Sequence, residues 1–310
     1  PNEGIRYRGY TLPEVFEKLP RAKGAKMPYV EGLFYLLLTG EVPTESQVAD
    51  VINDFSNRRI LPRYVYEVID AYPCCSHPMS IFSSAIMTMQ RESFFNRKYK
   101  AGLNKMDYLE STYEDAMNML AKLPEIASYI YSKQYRDGKR IQSNPNLDFG
   151  ANFAHMMGIA KPYDDVARMY FIVHADHESG NVSAHTGHLV ASSLSDVYLS
   201  TSAMVNGLAG PLHGLANQEV LRWVQDMKEK MGGVLPTELE MRQFHLQEKL
   251  RIMNDEIIAG EDQLGVLLMG HDFNSWWCGR LVDNHTARTL IPGQQETTMQ
   301  LAITVVAAAI

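Results

Sequence analysis

Cysteine is scarce in this chain: among 310 residues there are three, Cys74, Cys75 and Cys278. Two are neighbours and no C-x-x-C spacing occurs, so no disulfide framework or zinc ribbon is expected. The thiols are read as reduced, in a reducing compartment. Long apolar runs are missing as well. The longest candidate, Leu301 to Ile310, reaches about half of the roughly 20 residues that a membrane helix needs, so no membrane partner is expected. Positive charge is not in excess. A formal net charge of -7 gives nothing to recommend nucleic acid as a partner. There is no glycine-rich phosphate loop, nucleophile elbow or Walker pattern. A covalent nucleophile is therefore disfavoured, which leaves acid–base or electrostatic catalysis. Internal repeats and low-complexity tracts are absent, and alternating β-branched runs nearly so. The expected fold class is all-α. The start, PNEGIRYRGY, lacks an initiating Met and any signal or transit peptide pattern, so a processed or partial chain is expected.

Helical patterning is abundant. Asn2 to Tyr10 reads as β-like or irregular. Val30 to Leu38 is nearly all apolar and stops at Thr39-Gly40, a buried helix with a glycine end. Thr44-x-x-Gln47 is a capping box, followed by Val48, Val51, Ile52 and Phe55 at helical spacing. Pro62 opens another helix, with Val65, Val68 and Ile69 on one face. His77-Pro78 precedes an interior stripe of Ile81, Ala85, Ile86 and Met89. Tyr113 to Leu123 forms the next helix, and Pro124 is expected to begin a separate one that runs to Tyr135. Arg136 to Asn146 is polar and turn-rich, a surface loop. Phe149 to Met157 and Asp164 to His177 read as two more helices. Further on, Thr237-x-x-Glu240 caps a charged helix with Leu239, Leu246, Leu250, Met253 and Ile257 on its buried side. From Leu264 onward no order is assigned.

The stretch from His174 to Trp223 carries five of the ten histidines, set among small residues with few charges. Small residues let backbones approach, and a buried imidazole needs a partner for each ring nitrogen. This is therefore a tightly packed interior or interface with polar chemistry. His213 lies in Gly207-Leu-Ala-Gly-Pro-Leu-His-Gly214, and Leu215 to Met227 is read as the helix that follows. Pro211 and the glycines break the preceding helix and permit unusual backbone angles. At a helix start the dipole disfavours the charged imidazole. A neutral histidine there can donate a hydrogen bond to a developing oxyanion, as one does in triosephosphate isomerase; the plainer alternative is a histidine that caps a turn. His174, His177, His185 and His188 form two H-x-x-H pairs with Asp176 and Glu178 nearby. Residues three apart share a helix face, so a metal site is one reading and a close helix contact the other. Asn181 either caps the next helix or binds a polar ligand. The methionine stripes are assigned to the core.

Three segments resemble citrate synthase of the eukaryotic mitochondrial type. They are H-A-D-H-E-S-G-N-V-S-A-H-T (174 to 186), L-S-D-V-Y-L-S (194 to 200) and N-G-L-A-G-P-L-H-G-L-A-N-Q-E-V-L (206 to 221). E-G-I-R-Y-R-G-Y (3 to 10), E-G-L-F-Y-L-L-L-T-G (31 to 40) and H-P-M-S (77 to 80) extend the resemblance to the start. It implies an all-α homodimer with a cleft between a large and a small domain, located in the mitochondrial matrix. It implies condensation of acetyl-CoA with oxaloacetate and water to give citrate and CoA, without metal or a permanently bound cofactor. By the same resemblance His213 hydrogen-bonds the thioester oxygen, and His177 contacts oxaloacetate with Asn181 as a neighbour. The small-residue stretch Val182 to Leu199 would be one dimer-interface helix.

The last third departs from the family pattern. The family's Gly-Tyr-Gly-His, which polarises the ketone, is matched only by Met269-Gly270-His271. Its Asn-Val-Asp, which holds the base, is echoed by Leu281-Val282-Asp283. His271 and Asp283 are carried over on those fragments alone. No counterpart of the oxaloacetate-clamping arginines is found before Ile310. A segment missing after Trp223 is expected, visible as a break in the chain. The domains are drawn as 1–213 large, 214–283 small and incomplete, and 284–310 returning to the large one. The rival readings are a 2-methylcitrate synthase, a non-catalytic structural or filament-forming relative, and a histidine-metal hydrolase.

Overall fold

The computed structural model describes residues 5–175, 180–230, 232–233, 261–268 and 276–283. It divides into two compact units, Pro1–Trp223 and Val224–Ile310.

The first unit is helical from its twelfth residue on. Arg6–Tyr7 (β1) and Tyr10–Thr11 (β2) form a small antiparallel pair, with Tyr7 opposite Tyr10. Thr11 then starts α1, Leu12–Lys18, through a reciprocal box with Glu14. In α2, Val30–Thr39, the expected glycine stop is Gly40 at φ 86°, a left-handed angle that costs a side chain but not glycine. Thr44 and Gln47 close the predicted box at the start of α3, Glu45–Arg58. Each such cap is worth about 1 kcal/mol. Pro62 precedes α4, Arg63–Ala71, and His77 caps α5, Pro78–Thr88, by accepting the Met79 N–H.

Ile81, Ala85 and Ile86 on α5 are all buried with Val65 and Ile69 of α4, as the stripe predicts. They pack on α7, Tyr108–Tyr135, and on α11, Val197–Leu208. Between α5 and α7 lies α6, Phe94–Lys100.

Three expectations need correction. Pro124 does not begin a helix: α7 runs unbroken through it for 28 residues. An interior proline forfeits one hydrogen bond at a cost of roughly 3 kcal/mol. Pro124 is itself buried, as are Ile126 and Ile130 just beyond it, so apolar burial on both sides holds the helix together. The helix of Asp164 to His177 is α9, Tyr163–Val173, and stops at Val173. Its N-terminal neighbour is α8, Phe149–Met157, as expected. The supposed single helix Val182 to Leu199 is two. The first, α10, is Val182–Ala191, and α11 follows a turn in which Leu194 sits at φ 63°. Asp196 restarts the chain by accepting N–H bonds from Tyr198 and Leu199.

Among the buried polar groups that join the helices of this unit are Arg168 and Glu31. Arg168 on α9 forks onto Asp148 at 3.0 and 2.7 Å, with both side chains under a tenth exposed, and reaches Asp165 at 3.0 Å. Glu31 on α2 is fully buried. One carboxyl oxygen accepts the Phe149 N–H at 2.7 Å, and the other has no hydrogen-bond partner. Burial pushes this acid up to about 7, and the nearby Asp148 charge adds to the shift. Beside it is a cavity of about 30 Å³, lined by Arg59, Asn144 and Asn152 among others.

The final described helix, α12, is Ala216–Lys230, and it crosses the boundary between the units. The second unit holds a hairpin that no sequence pattern announces: β3, Glu261–Leu268, pairs antiparallel with β4, Trp276–Asp283. Each strand has a single β-branched residue, a valine, so the usual strand signal is absent. With twelve α-helices and two small sheets among the described residues, the fold is all-α. The helix capped at Thr237 lies outside them. No helix among them is long and apolar enough to cross a membrane.

Candidate active site

The polar site forms where α10, α11 and the entry to α12 meet. Asn181 is the N-cap of α10, and its side-chain oxygen accepts the Ala184 N–H at 2.9 Å. The capping reading of Asn181 is thus what the helix start shows. The same oxygen accepts the Ser183 hydroxyl at 2.6 Å, and the Ser183 oxygen lies 2.9 Å from Nε2 of His213. Ser183 is buried and His213 half-buried. Asn181 and His213 are therefore brought to one hydroxyl, although 30 residues of chain separate Ser183 from His213.

That hydroxyl has one proton for two neighbours. When the proton goes to Asn181, Nε2–H of His213 donates to the serine oxygen; when the hydroxyl turns to His213, Nε2 accepts from it. Rotation about one C–O bond selects the tautomer. No sequence pattern flags Ser183. Its signal is the spacing Asn181-x-Ser183 at a helix start, which puts both side chains in the first turn.

The frame of His213 is steric rather than conformational. Gly207, Gly210 and Gly214 are not among the glycines with positive φ, so the expected unusual angles are not what these positions need. A Cβ on Gly214 would come within 2.6 Å of the Leu208 carbonyl oxygen and 2.5 Å of its side chain. One on Gly207 would meet Ser183 Cα at 3.4 Å, in ordinary contact, and one on Gly187 of α10 would come within 2.6 Å of the Met204 methyl group on α11. Small residues let α10 and α11 touch. His213 sits in the turn just before α12, and its carbonyl accepts the Ala216 N–H at 3.1 Å.

The other site candidates are placed as follows. His177 and His271 lie outside the described residues. Asp283 is the last residue of β4 in the second unit, in register with Glu261. His174 stacks on Tyr170 with ring centroids 4.2 Å apart, and its Nδ1 is 2.9 Å from the Tyr170 carbonyl. His185 and His188 are exposed on α10. Among the described residues, no three His, Cys, Asp or Glu side chains gather as for a metal ion. A groove of about 450 Å³ opens beside α8 and α9, away from these residues. Its Asp148 and Arg168 are spent on each other.

Fold and site define an all-α protein with a histidine–serine–asparagine chain at a junction of three helices. The family model for the citrate synthase C-terminal domain matches residues 1–257. Citrate synthase 4, mitochondrial, of Arabidopsis thaliana is 50% identical over 233 residues, which are 75% of this chain and 49% of that one. The mitochondrial 2-methylcitrate synthase of Yarrowia lipolytica is 51% identical over 235 residues, 75% of this chain and 50% of its own. A crystal structure of citrate synthase from Pyrobaculum aerophilum superimposes with a TM-score of 0.61 at 31% identity, over 71% of this chain and 53% of that one. The chain belongs to the citrate synthase family. It spans about half the length of the curated relatives it matches.

Proposed function

We propose that this chain acts as a citrate synthase, condensing acetyl-CoA with oxaloacetate and water to release citrate and CoA. The observation that carries the reading is the anchoring of His213 by Ser183 and Asn181 inside a glycine-packed turn. Held by Ser183, His213 donates an N–H hydrogen bond to the thioester oxygen as the methyl group loses its proton. Such a donor is worth about 10²–10³-fold in rate. Asp283 is proposed as the base that takes the methyl proton, and His271 as the group that polarises the oxaloacetate ketone. The enol carbon then attacks that ketone, and water cleaves the thioester to free the thiol. His177 contacts oxaloacetate, with Asn181 beside it. Acetyl-CoA and CoA are substrate and product, and no metal or permanent cofactor is invoked.

A homodimer is proposed with the same reading. It is supported by the exposed Val182 and Leu189 on α10, at 58% and 65% exposure. The mitochondrial matrix is proposed as the location, in keeping with the mitochondrial relatives. The proposed domains are 1–213, 214–283 and 284–310. The Yarrowia lipolytica relative favours one alternative, propionyl-CoA as the acyl donor to give 2-methylcitrate.

The test is release of CoA thiol by the purified chain with oxaloacetate and either acyl-CoA. His213→Ala should lower turnover by about 10²–10⁴-fold while oxaloacetate binding, read by calorimetry, survives. Lost oxaloacetate binding with normal turnover would reverse the roles of His213 and His177. No thiol release with either donor would leave a non-catalytic member of the family.

A further inference from the structure

The proposed reaction leaves unused the chain's adjacent thiols, Cys74 and Cys75. They occupy the two corners of a four-residue turn closed by the Ser76 N–H donating to the Pro73 carbonyl at 3.0 Å. Both side chains are exposed and unbridged. The turn is held at its two ends and free at its tip. On the entering side the Lys133 ammonium donates to the carbonyls of Ile69, Asp70 and Tyr72 at 2.6, 3.0 and 2.8 Å. On the leaving side Gln134 donates to the Ser76 carbonyl at 2.6 Å, and His77 caps α5. Two successive residues of α7 therefore clamp the loop.

The spacing of the pair decides its chemistry. Adjacent Cα atoms across a trans peptide are about 3.8 Å apart, below the roughly 4.4 Å minimum usual for a disulfide. Closing an S–S bond would force the peptide between them out of shape. Bridging one larger, soft atom requires only that two exposed side chains choose compatible rotamers. Anchored turn ends lower the entropy lost on doing so. Among the described residues no third His, Cys, Asp or Glu completes a tetrahedral metal set with them, which favours a thiophilic centre satisfied by two sulfurs.

We propose that Cys74 and Cys75 are a chelating dithiol site for soft, thiophilic electrophiles of the trivalent arsenic class. An organoarsenic(III) dihydroxide and the two thiols give a cyclic dithioarsenite and two waters. Two As–O bonds break and two As–S bonds form, with no change of oxidation state.

The full chain is treated with phenylarsine oxide, and its intact mass is read in the presence of excess glutathione. The wild type and Cys278→Ser should each keep one phenylarsenic group against the monothiol and release it to 2,3-dimercaptopropanol. Cys74→Ser and Cys75→Ser should each lose the glutathione-resistant adduct, with circular dichroism unchanged. Retention of that adduct by either single variant, its loss in Cys278→Ser, or its removal from the wild type by glutathione alone would overturn the proposal.

Discussion

Replacing Glu31 with glutamine should flatten a slope in stability that the native chain carries across neutral pH. Glu31 is wholly buried, with one oxygen on the Phe149 N–H and the other without a partner, so its neutral form is favoured in the fold. Burial raises the acid from its ordinary 4.5 to about 7, against the opposing pull of that N–H and of Arg168. Between those two values the folded chain keeps a proton that the unfolded chain has released, so rising pH costs stability. The contribution is whole below about 4.5 and gone above about 7. A shift from 4.5 to about 7, at about 1.4 kcal/mol per unit, amounts to roughly 3 kcal/mol. Glutamine keeps the acceptor for Phe149 and cannot ionise. The stability of the wild type minus that of Glu31→Gln should therefore fall by roughly 3 kcal/mol between about pH 4.5 and about pH 8. Guanidinium unfolding at fixed salt and protein concentration, followed by the helical circular dichroism, gives that difference. Titrations of groups not coupled to Glu31 cancel in it. A difference that stays level across this window, or climbs with pH, would refute the assignment.

Two further substitutions probe the His213 turn. Ser183→Ala removes the hydroxyl that bridges Asn181 and His213, and turnover should drop roughly 10- to 100-fold, about 1.4–2.8 kcal/mol. KM for acetyl-CoA should change little and Ser183→Thr should restore part of the rate, whereas an unaltered kcat in the alanine variant would remove the serine from the proposed role. Gly214→Ala sets a methyl within 2.6 Å of the Leu208 carbonyl oxygen and should cost about 1–3 kcal/mol of stability along with most of the turnover. A melting temperature equal to that of the wild type would mean the turn has room to spare.

Sequence signals that are local and self-contained are legible. Thr44 with Gln47, Gly40 after Thr39, and the stripe Ile81, Ala85, Ile86 each encode their outcome within one or two turns of helix. Pro124 misleads because its local preference is to start a helix, while the cost of keeping it inside α7 is offset by burial of Pro124 itself and of Ile126 and Ile130 in the same helix. The break between α10 and α11 is signalled by Ser192, Ser193, Ser195 and Asp196, cap- and turn-forming residues that the small-residue character of the whole stretch conceals. It is made by a leucine in a left-handed conformation and an aspartate cap. The hairpin at 261–283 has few β-branched residues to announce it. At the site, His213 is conspicuous for its glycines, although Gly214 serves to admit Leu208 and Gly207 to pass Ser183 rather than to bend the chain. Ser183 escapes notice because a serine near a helix start is common and only the fold brings His213 to it. Glu31 is unreadable for a similar reason: nothing in E-G-L-F says that the acid faces inward.

One contact between α5 and α11 bears on how far the His213 turn can move. The hydroxyl of Ser83 reaches the backbone carbonyl of Ser202 at 3.2 Å, that of Ser202 reaches the carbonyl of Ser83 at 3.1 Å, and the two hydroxyl oxygens are 2.8 Å apart. Sliding either helix by one turn, about 5.4 Å, would unmake every one of these contacts at once in a buried place where water cannot replace them. The pair therefore works as a bolt across two rods. α11 is thereby held in register with α5 as far as Leu208, where the chain leaves the helix for the turn that carries His213.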